Sequence, residues 1–214
     1  MDEYRSLTEL PLAVSLKAFH HIHVRGTDEQ EIRDLVRSMI GQAVALHAPD
    51  DLRLMIYGAP QQSGEWEWID YLPHARRPAD HPGLPRTAIA DDEDSFTRLV
   101  ATVSNRPAFG RDEPQRLPYV LIVCDTLPLP DEVDWLTTTG RQGVTLVRLV
   151  PDPRAGADTG LEMSVTNGEL TLRAPRGDTY RGRADALTVA QATRLARDLS
   201  LFSHQVSETN AWDT

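Results

Sequence analysis

The sequence predicts an α/β fold of three layers, a mainly parallel sheet with helices on both faces. Short apolar runs of strand length alternate with longer segments that are apolar on one side only. One of the runs, Tyr119-Val-Leu-Ile-Val-Cys124, is apolar on both faces, as a central parallel strand must be. After Pro151 the pattern changes to a hairpin and a last helix.

The elements follow in order. Residues 1–9 are polar and read as a flexible lead-in, ahead of one domain over residues 10–203. Leu12 to Leu16 alternates apolar and small residues, which predicts a first strand, and His21-Ile-His-Val24 predicts a second. Gly26 breaks that strand. A helix is expected from Asp28 to His47, with Ile32, Leu35, Val36, Met39, Ile40, Ala43 and Val44 on one face. Asp28 with Glu31 forms a capping box, and Thr27 with Gln30 offers a second register. Pro49 stops the helix, and Asp50-Asp51 cap the turn into a strand over Leu52 to Tyr57.

An aromatic segment and a loop rich in Pro, Arg and His come next; Arg76, Arg77 and Arg86 read as a solvated loop, with contact to an acidic neighbour as the alternative. Arg86 to Ala90 reads as a strand. Asp91-Asp-Glu-Asp94 introduces a helix to Asn105, its acids suiting the positive end of the helix dipole. Phe96, Leu99, Val100 and Val103 form its apolar face. A short helix over Asp131–Thr138 leads to a strand over Val144 to Val150. Asn167-Gly168, between Leu161–Val165 and Glu169–Arg173, is a strong hairpin signal. Thr188 caps a final helix to Phe202, and residues 204–214 read as a disordered tail.

Composition excludes several functions. The 214-residue chain has a net charge of −10, which disfavours nucleic acid or an anionic membrane surface as partner. No apolar run is long enough to cross a bilayer, and no signal peptide is evident, so any membrane tether is expected outside this chain. The lone Cys124 rules out an internal disulfide and sits in an apolar strand, as a buried inert thiol does. Lys17 is the only lysine, so a phosphate-loop lysine has no other source. His20, His21 and His23 do not form a metal site by spacing. On a strand only His21 and His23 share a face, and no third ligand accompanies them.

The most specific stretch joins Pro49-Asp50-Asp51 and its strand to Trp66-Glu-Trp68-Ile-Asp-Tyr-Leu72-Pro73-His74. This order, after a long helix, resembles the EccC/EssC proteins, the FtsK/SpoIIIE-type motor ATPases of type VII secretion. The resemblance covers roughly residues 10–203. It points to the membrane-proximal cytosolic domain, formerly of unassigned function. It implies a RecA-like, P-loop-NTPase fold and a place on the cytoplasmic side of the inner membrane, tethered through transmembrane helices outside this chain. It implies contacts with the other domains of the parent ATPase and with channel components, a hexameric parent, and an excised domain that is monomeric. The near absence of lysine suits the GC-rich genomes of actinobacteria.

In such a fold the first strand–turn–helix is where a phosphate loop, Gly-x-x-x-x-Gly-Lys-Ser/Thr, would lie. Counting from Gly26, the second Gly is Glu31, the Lys is Ile32 and the Ser/Thr is Arg33. Gly26 and Thr27 are thus candidate residues of a degenerate nucleotide site. Asp125, closing an apolar strand, is the candidate magnesium-associated acid, while the next position is Thr126 rather than a catalytic Glu. Trp66, Trp68, Leu72, Pro73 and His74 are expected to be structural. No catalytic residue, metal or cofactor is expected. The reading is a non-hydrolysing, ATPase-like domain that couples the channel to downstream FtsK-like motors. The alternatives are a divergent Mg-ATP-binding NTPase using Asp125, and a pure interaction module.

Overall fold

The computed structural model describes residues 13–76, 87–110, 117–125, 128–151, 160–175 and 177–209, with 202–209 described as backbone only. Eight strands form one sheet: β1 (His21–Arg25), β2 (Leu52–Gly58), β3 (Ile89–Ala90), β4 (Tyr119–Asp125), β5 (Val144–Val150), β6 (Leu161–Thr166), β7 (Glu169–Arg173) and β8 (Thr179–Arg183). Their order is β3-β2-β4-β5-β1-β6-β7-β8. The first six pair in parallel, and β6–β7–β8 are antiparallel. The expected α/β architecture, mainly parallel with a C-terminal hairpin and helix, is therefore present.

The two faces of the sheet bury different helices. Helix α1 (Glu29–Leu46) and α4 (Val189–Thr209) pack on one face, with Ile32, Leu35 and Ile40 against Ile22, Val24, Leu54 and Ile56. The segment containing α2 (Ser63–Trp66) joins them, its Trp66, Trp68 and Leu72 all buried. On the other face α3 (Glu93–Ser104) sets Phe96, Leu99 and Val100 against Tyr57, Ile122 and Cys124. Strand alternation assigns the residues: Leu54 and Ile56 face α1, and Met55 and Tyr57 face α3. The Tyr57 and Phe96 rings stack with centroids 4.3 Å apart.

Several local expectations differ. Residues 13–15 are not strand, and Leu16–Ala18 is a short 3-10 turn. Both edges of β1 are already taken by β5 and β6, so a strand beside it has nowhere to pair. The strand expected over 86–90 contracts to Ile89–Ala90, with one bridge from Thr87 to Arg76. Residues Asp131–Leu136 are 3-10 rather than α-helical. Helix α4 passes Phe202 and continues to Thr209, so residues 204–209 are helical rather than disordered. Strand β8 was not anticipated. It is exposed along its whole length and carries no apolar alternation that could announce it. The lead-in 1–9, Arg77, Arg86, Thr126 and residues 210–214 lie outside the described residues.

Candidate functional site

Asp125 ends β4 at the carboxyl side of the parallel sheet and is 0% exposed. A carboxylate so buried must be compensated by donors. Its Oδ2 accepts from Arg33 Nε at 2.9 Å and from Trp66 Nε1 at 2.8 Å, and its Oδ1 accepts from Arg33 Nη2 at 3.3 Å. Arg33 thus meets the carboxylate with both teeth of its fork, the strong geometry for this pair. Its Nη2 also donates to Glu29 Oε2 at 2.8 Å, one helical turn back. Burial pulls the Arg33 pKa down, but the hydrogen bonds and charges of Asp125 and Glu29 outweigh it, so the net shift is upward.

One turn further along α1, Arg37 is also 0% exposed. Its Nε donates to the Leu187 carbonyl and its Nη1 to Glu65 Oε2, each at 2.8 Å, and its Nη2 donates to Asp34. Trp68 Nε1 donates to the Glu65 carbonyl at 3.1 Å. Arg33 and Arg37, at i and i+4, therefore fasten α1 to the end of β4, to the aromatic segment and to the approach to α4.

The turn between β1 and α1 is short and filled. A Cβ on Gly26 would lie 2.8 Å from the Val165 carbonyl oxygen and 3.0 Å from Ile32 Cγ1, so the glycine permits close approach to β6. Thr27 is exposed. Asp28 is the N-cap and accepts from Gln30 N at 2.8 Å. The expected reciprocal arm from Glu31 is not made. The Glu31 carboxylate turns instead to the Asn167-Gly168 turn, accepting from Asn167 N at 3.1 Å and from Gly168 N. Gly26 follows β1 and Asp125 ends β4, strands separated by β5, and α1 is what connects them.

The signature residues are structural elements of this arrangement. After Pro49 the turn is closed by backbone: Asp51 N and Leu52 N donate to the Ala48 carbonyl at 2.9 and 3.0 Å. Asp50 and Asp51 are exposed, so the expected side-chain cap is replaced by main-chain bonds, and Asp50 lies 3.7 Å from Arg53. Pro73 opens a 3-10 turn that brings His74 beneath the end of α1. There His74 Nε2 donates to the His47 carbonyl at 2.8 Å, while Nδ1 is buried without a partner. Burial lowers the His74 pKa, Arg53 adds to the lowering, and the bond to His47 opposes it.

Beside Asp125 the Trp66 ring also walls an open cleft of about 660 Å³ at the ends of β2 and β3, with Gly58, Ser63, Asp91, Ser95 and Arg98. Gly58 registers directly against Asp125. Among the described residues no three His, Cys, Asp or Glu side chains gather as metal ligands.

These residues do not fit a magnesium nucleotide. The acid that would hold the metal is sealed from solvent by an arginine and a tryptophan. The loop has no lysine or hydroxyl at the counted positions. Sequence reasoning found Asp125 but not its partners. The available signal was a long cation at the counted Ser/Thr position, four residues after Glu29.

Comparison with known proteins agrees with the fold. No family model matches the sequence. The EccC protein of Thermomonospora curvata is 25% identical over 207 residues, covering 93% of this chain and 16% of that protein. EccC3 of the Mycobacterium tuberculosis ESX-3 system is 28% identical over 207 residues, covering 94% of this chain and 15% of its own length. EccCa1 of the ESX-1 system is 26% identical over 204 residues, covering 91% of this chain. The chain is similar to part of the EccC/EssC type VII secretion ATPases. It spans about one sixth of the length of EccC and EccC3. Among solved structures, ATPases 2 and 3 of EssC from Geobacillus thermodenitrificans superpose with a TM-score of 0.57 at 10% identity, covering 91% of this chain and 45% of that one. ATPases 2 and 3 of Thermomonospora curvata EccC, bound to a signal sequence peptide, give 0.53 at 12% identity, covering 83% and 39%. The sheet is thus that of the EccC/EssC ATPase domains. No helix among the described residues is long and apolar enough to cross a membrane.

Proposed function

We propose that the chain is a non-hydrolysing, ATPase-like domain of a type VII secretion motor. It couples the membrane channel to downstream FtsK-like ATPase domains during export. The observation that carries this reading is the state of Asp125. The candidate acid of the site is fully buried and already bound by Arg33 and Trp66. A fold retained around such a site is retained for its contacts, and function must be argued from the site rather than from the fold.

In this reading the domain sits beside the transmembrane helices of a larger, hexameric parent at the cytoplasmic face of the inner membrane. Its partners are then the neighbouring domains and the channel components. Tethering supplies effective concentration, so contacts too weak to dimerise the excised domain suffice in the parent.

Two measurements test the reading. Purified chain is incubated with magnesium and ATP, and the expected turnover equals a matched blank. Turnover that disappears in Asp125→Ala would establish the alternative, an NTPase using Asp125. Separately, residues 10–203 are deleted in frame from the parent, with expression and membrane insertion verified. Export is expected to stop, and normal export would end the coupling role.

A further inference from the structure

We propose that the Arg33 guanidinium is a built-in substitute for the magnesium ion of a nucleotide site, holding β4, α1 and the aromatic segment together with no ligand bound. The proposal rests on reading the β1–α1 turn as a former phosphate loop, and it adds what replaced the metal.

Three observations carry it. The first is position. In P-loop NTPases the loop's Ser/Thr and an acid at the end of another apolar strand of the same sheet hold magnesium between them. Arg33 occupies the counted Ser/Thr position and Asp125 is that acid. The second is reach. Strands β1 and β4 are two strand spacings apart, on the order of 10 Å. A hydroxyl at position 33 would leave a gap to Asp125 that an ion must fill, whereas the long arginine closes it at 2.9 Å. The third is charge. The guanidinium lies between two carboxylates, Asp125 and Glu29, with contacts of 2.9 and 2.8 Å. Two hard oxygen donors facing one buried cation are the donor type that magnesium and manganese take.

Removing the guanidinium should therefore leave an acid-lined space that accepts a small cation from solution. Thermal melting of the whole chain reads this directly, with magnesium, manganese or guanidinium chloride at millimolar concentration against sodium chloride of equal ionic strength. The unaltered chain should melt at the same temperature in all four salts. Arg33→Ser should melt lower by on the order of 10 °C. Magnesium or manganese should recover part of that loss, and guanidinium should do so as well. The double variant Arg33→Ser, Asp125→Asn should show no recovery.

An Arg33→Ser chain as stable as the parent would overturn the proposal, and so would one that none of the three cations stabilises. Stabilisation of the unaltered chain by magnesium would also overturn it, since the place would then be open. Should Arg33→Ser not fold, Arg33→Gln retains a donor to Asp125 without the charge, and the same outcomes are read on it. The test is independent of turnover. ATP hydrolysis by the unaltered chain would sink the non-hydrolysing reading, whereas loss of cation rescue sinks the substitution of metal by arginine.

Discussion

Helix α1 is tied to the sheet by charged side chains at two places in one turn, and the ties are of opposite kinds. Arg33 reaches inward to a carboxylate that is wholly buried. Glu31, two residues earlier, reaches sideways to the amides of the Asn167-Gly168 turn at a half-exposed position. Both use charge-assisted hydrogen bonds. What separates them is solvent. At Glu31 water can replace the lost partner and salt screens the charge. At Asp125 neither is possible, so a missing partner strands a charge in the core. The lesson is that residue type and spacing place a tie, but burial sets its weight.

The largest effect should come from cutting the buried tie. Asp125→Ala leaves the Arg33 guanidinium and the Trp66 indole N–H without their acceptor, and should cost about 3–5 kcal/mol in urea denaturation. A loss under about 1 kcal/mol would mean that the two ties weigh alike and that the comparison is wrong. Trp68→Ala should cost a similar amount, about 3–5 kcal/mol, by opening a cavity rather than by stranding a charge. The two mechanisms separate by salt and shape. A smaller aromatic at Trp68 should recover much of the loss, whereas no apolar residue at Asp125 should.

Trp66→Phe sharpens the comparison from inside the site. It keeps the ring but removes one donor to Asp125 Oδ2, and should cost about 1–2 kcal/mol. Glu31→Gln tests the exposed tie. It should cost less than about 1 kcal/mol, and the difference should shrink further at high salt, while the cost of Asp125→Ala should hardly change.

How much of this was legible in the sequence follows the same division. Periodicity revealed α1, α3 and the strands because their apolar residues repeat at the helical or strand period. The Asn167-Gly168 turn was readable because both residues adopt positive φ, 53° and 76°, which that pair tolerates. Gly26 and Asp125 were identifiable as counted positions. The pairing of Arg33 with Asp125 was not, because it joins residues 92 apart and no local pattern encodes it. Strand β8 was invisible for a related reason: Thr179-Tyr-Arg-Gly-Arg183 is polar on both faces and owes its strand state to its partner β7. The Asp50-Asp51 pair misled, since acids in a turn suggest capping while the backbone closed the turn by itself.

A further tie, at the other end of α1, carries no charge and gives the smallest and most conditional effect. His74 donates from Nε2 to the His47 carbonyl, and its buried Nδ1 has no partner to share a second proton with. Burial, assisted by Arg53, holds its pKa below the ordinary imidazole range. The unfolded chain therefore takes up a proton at His74 before the folded chain does. This contribution to stability is intact above about pH 6.5, and it is lost as pH falls from there toward the lowered folded value. Urea denaturation at pH 7.5 and at pH 5 should show it as a difference between two chains. The unaltered chain should lose more stability on acidification than His74→Gln, whose amide can still donate to the His47 carbonyl but does not titrate. Equal losses would mean that the folded imidazole accepts the second proton freely. A larger loss in His74→Gln would reverse the sign and place a stabilising charge at the end of α1. Either result would remove the neutral tie from the comparison and leave α1 held by its charged contacts alone.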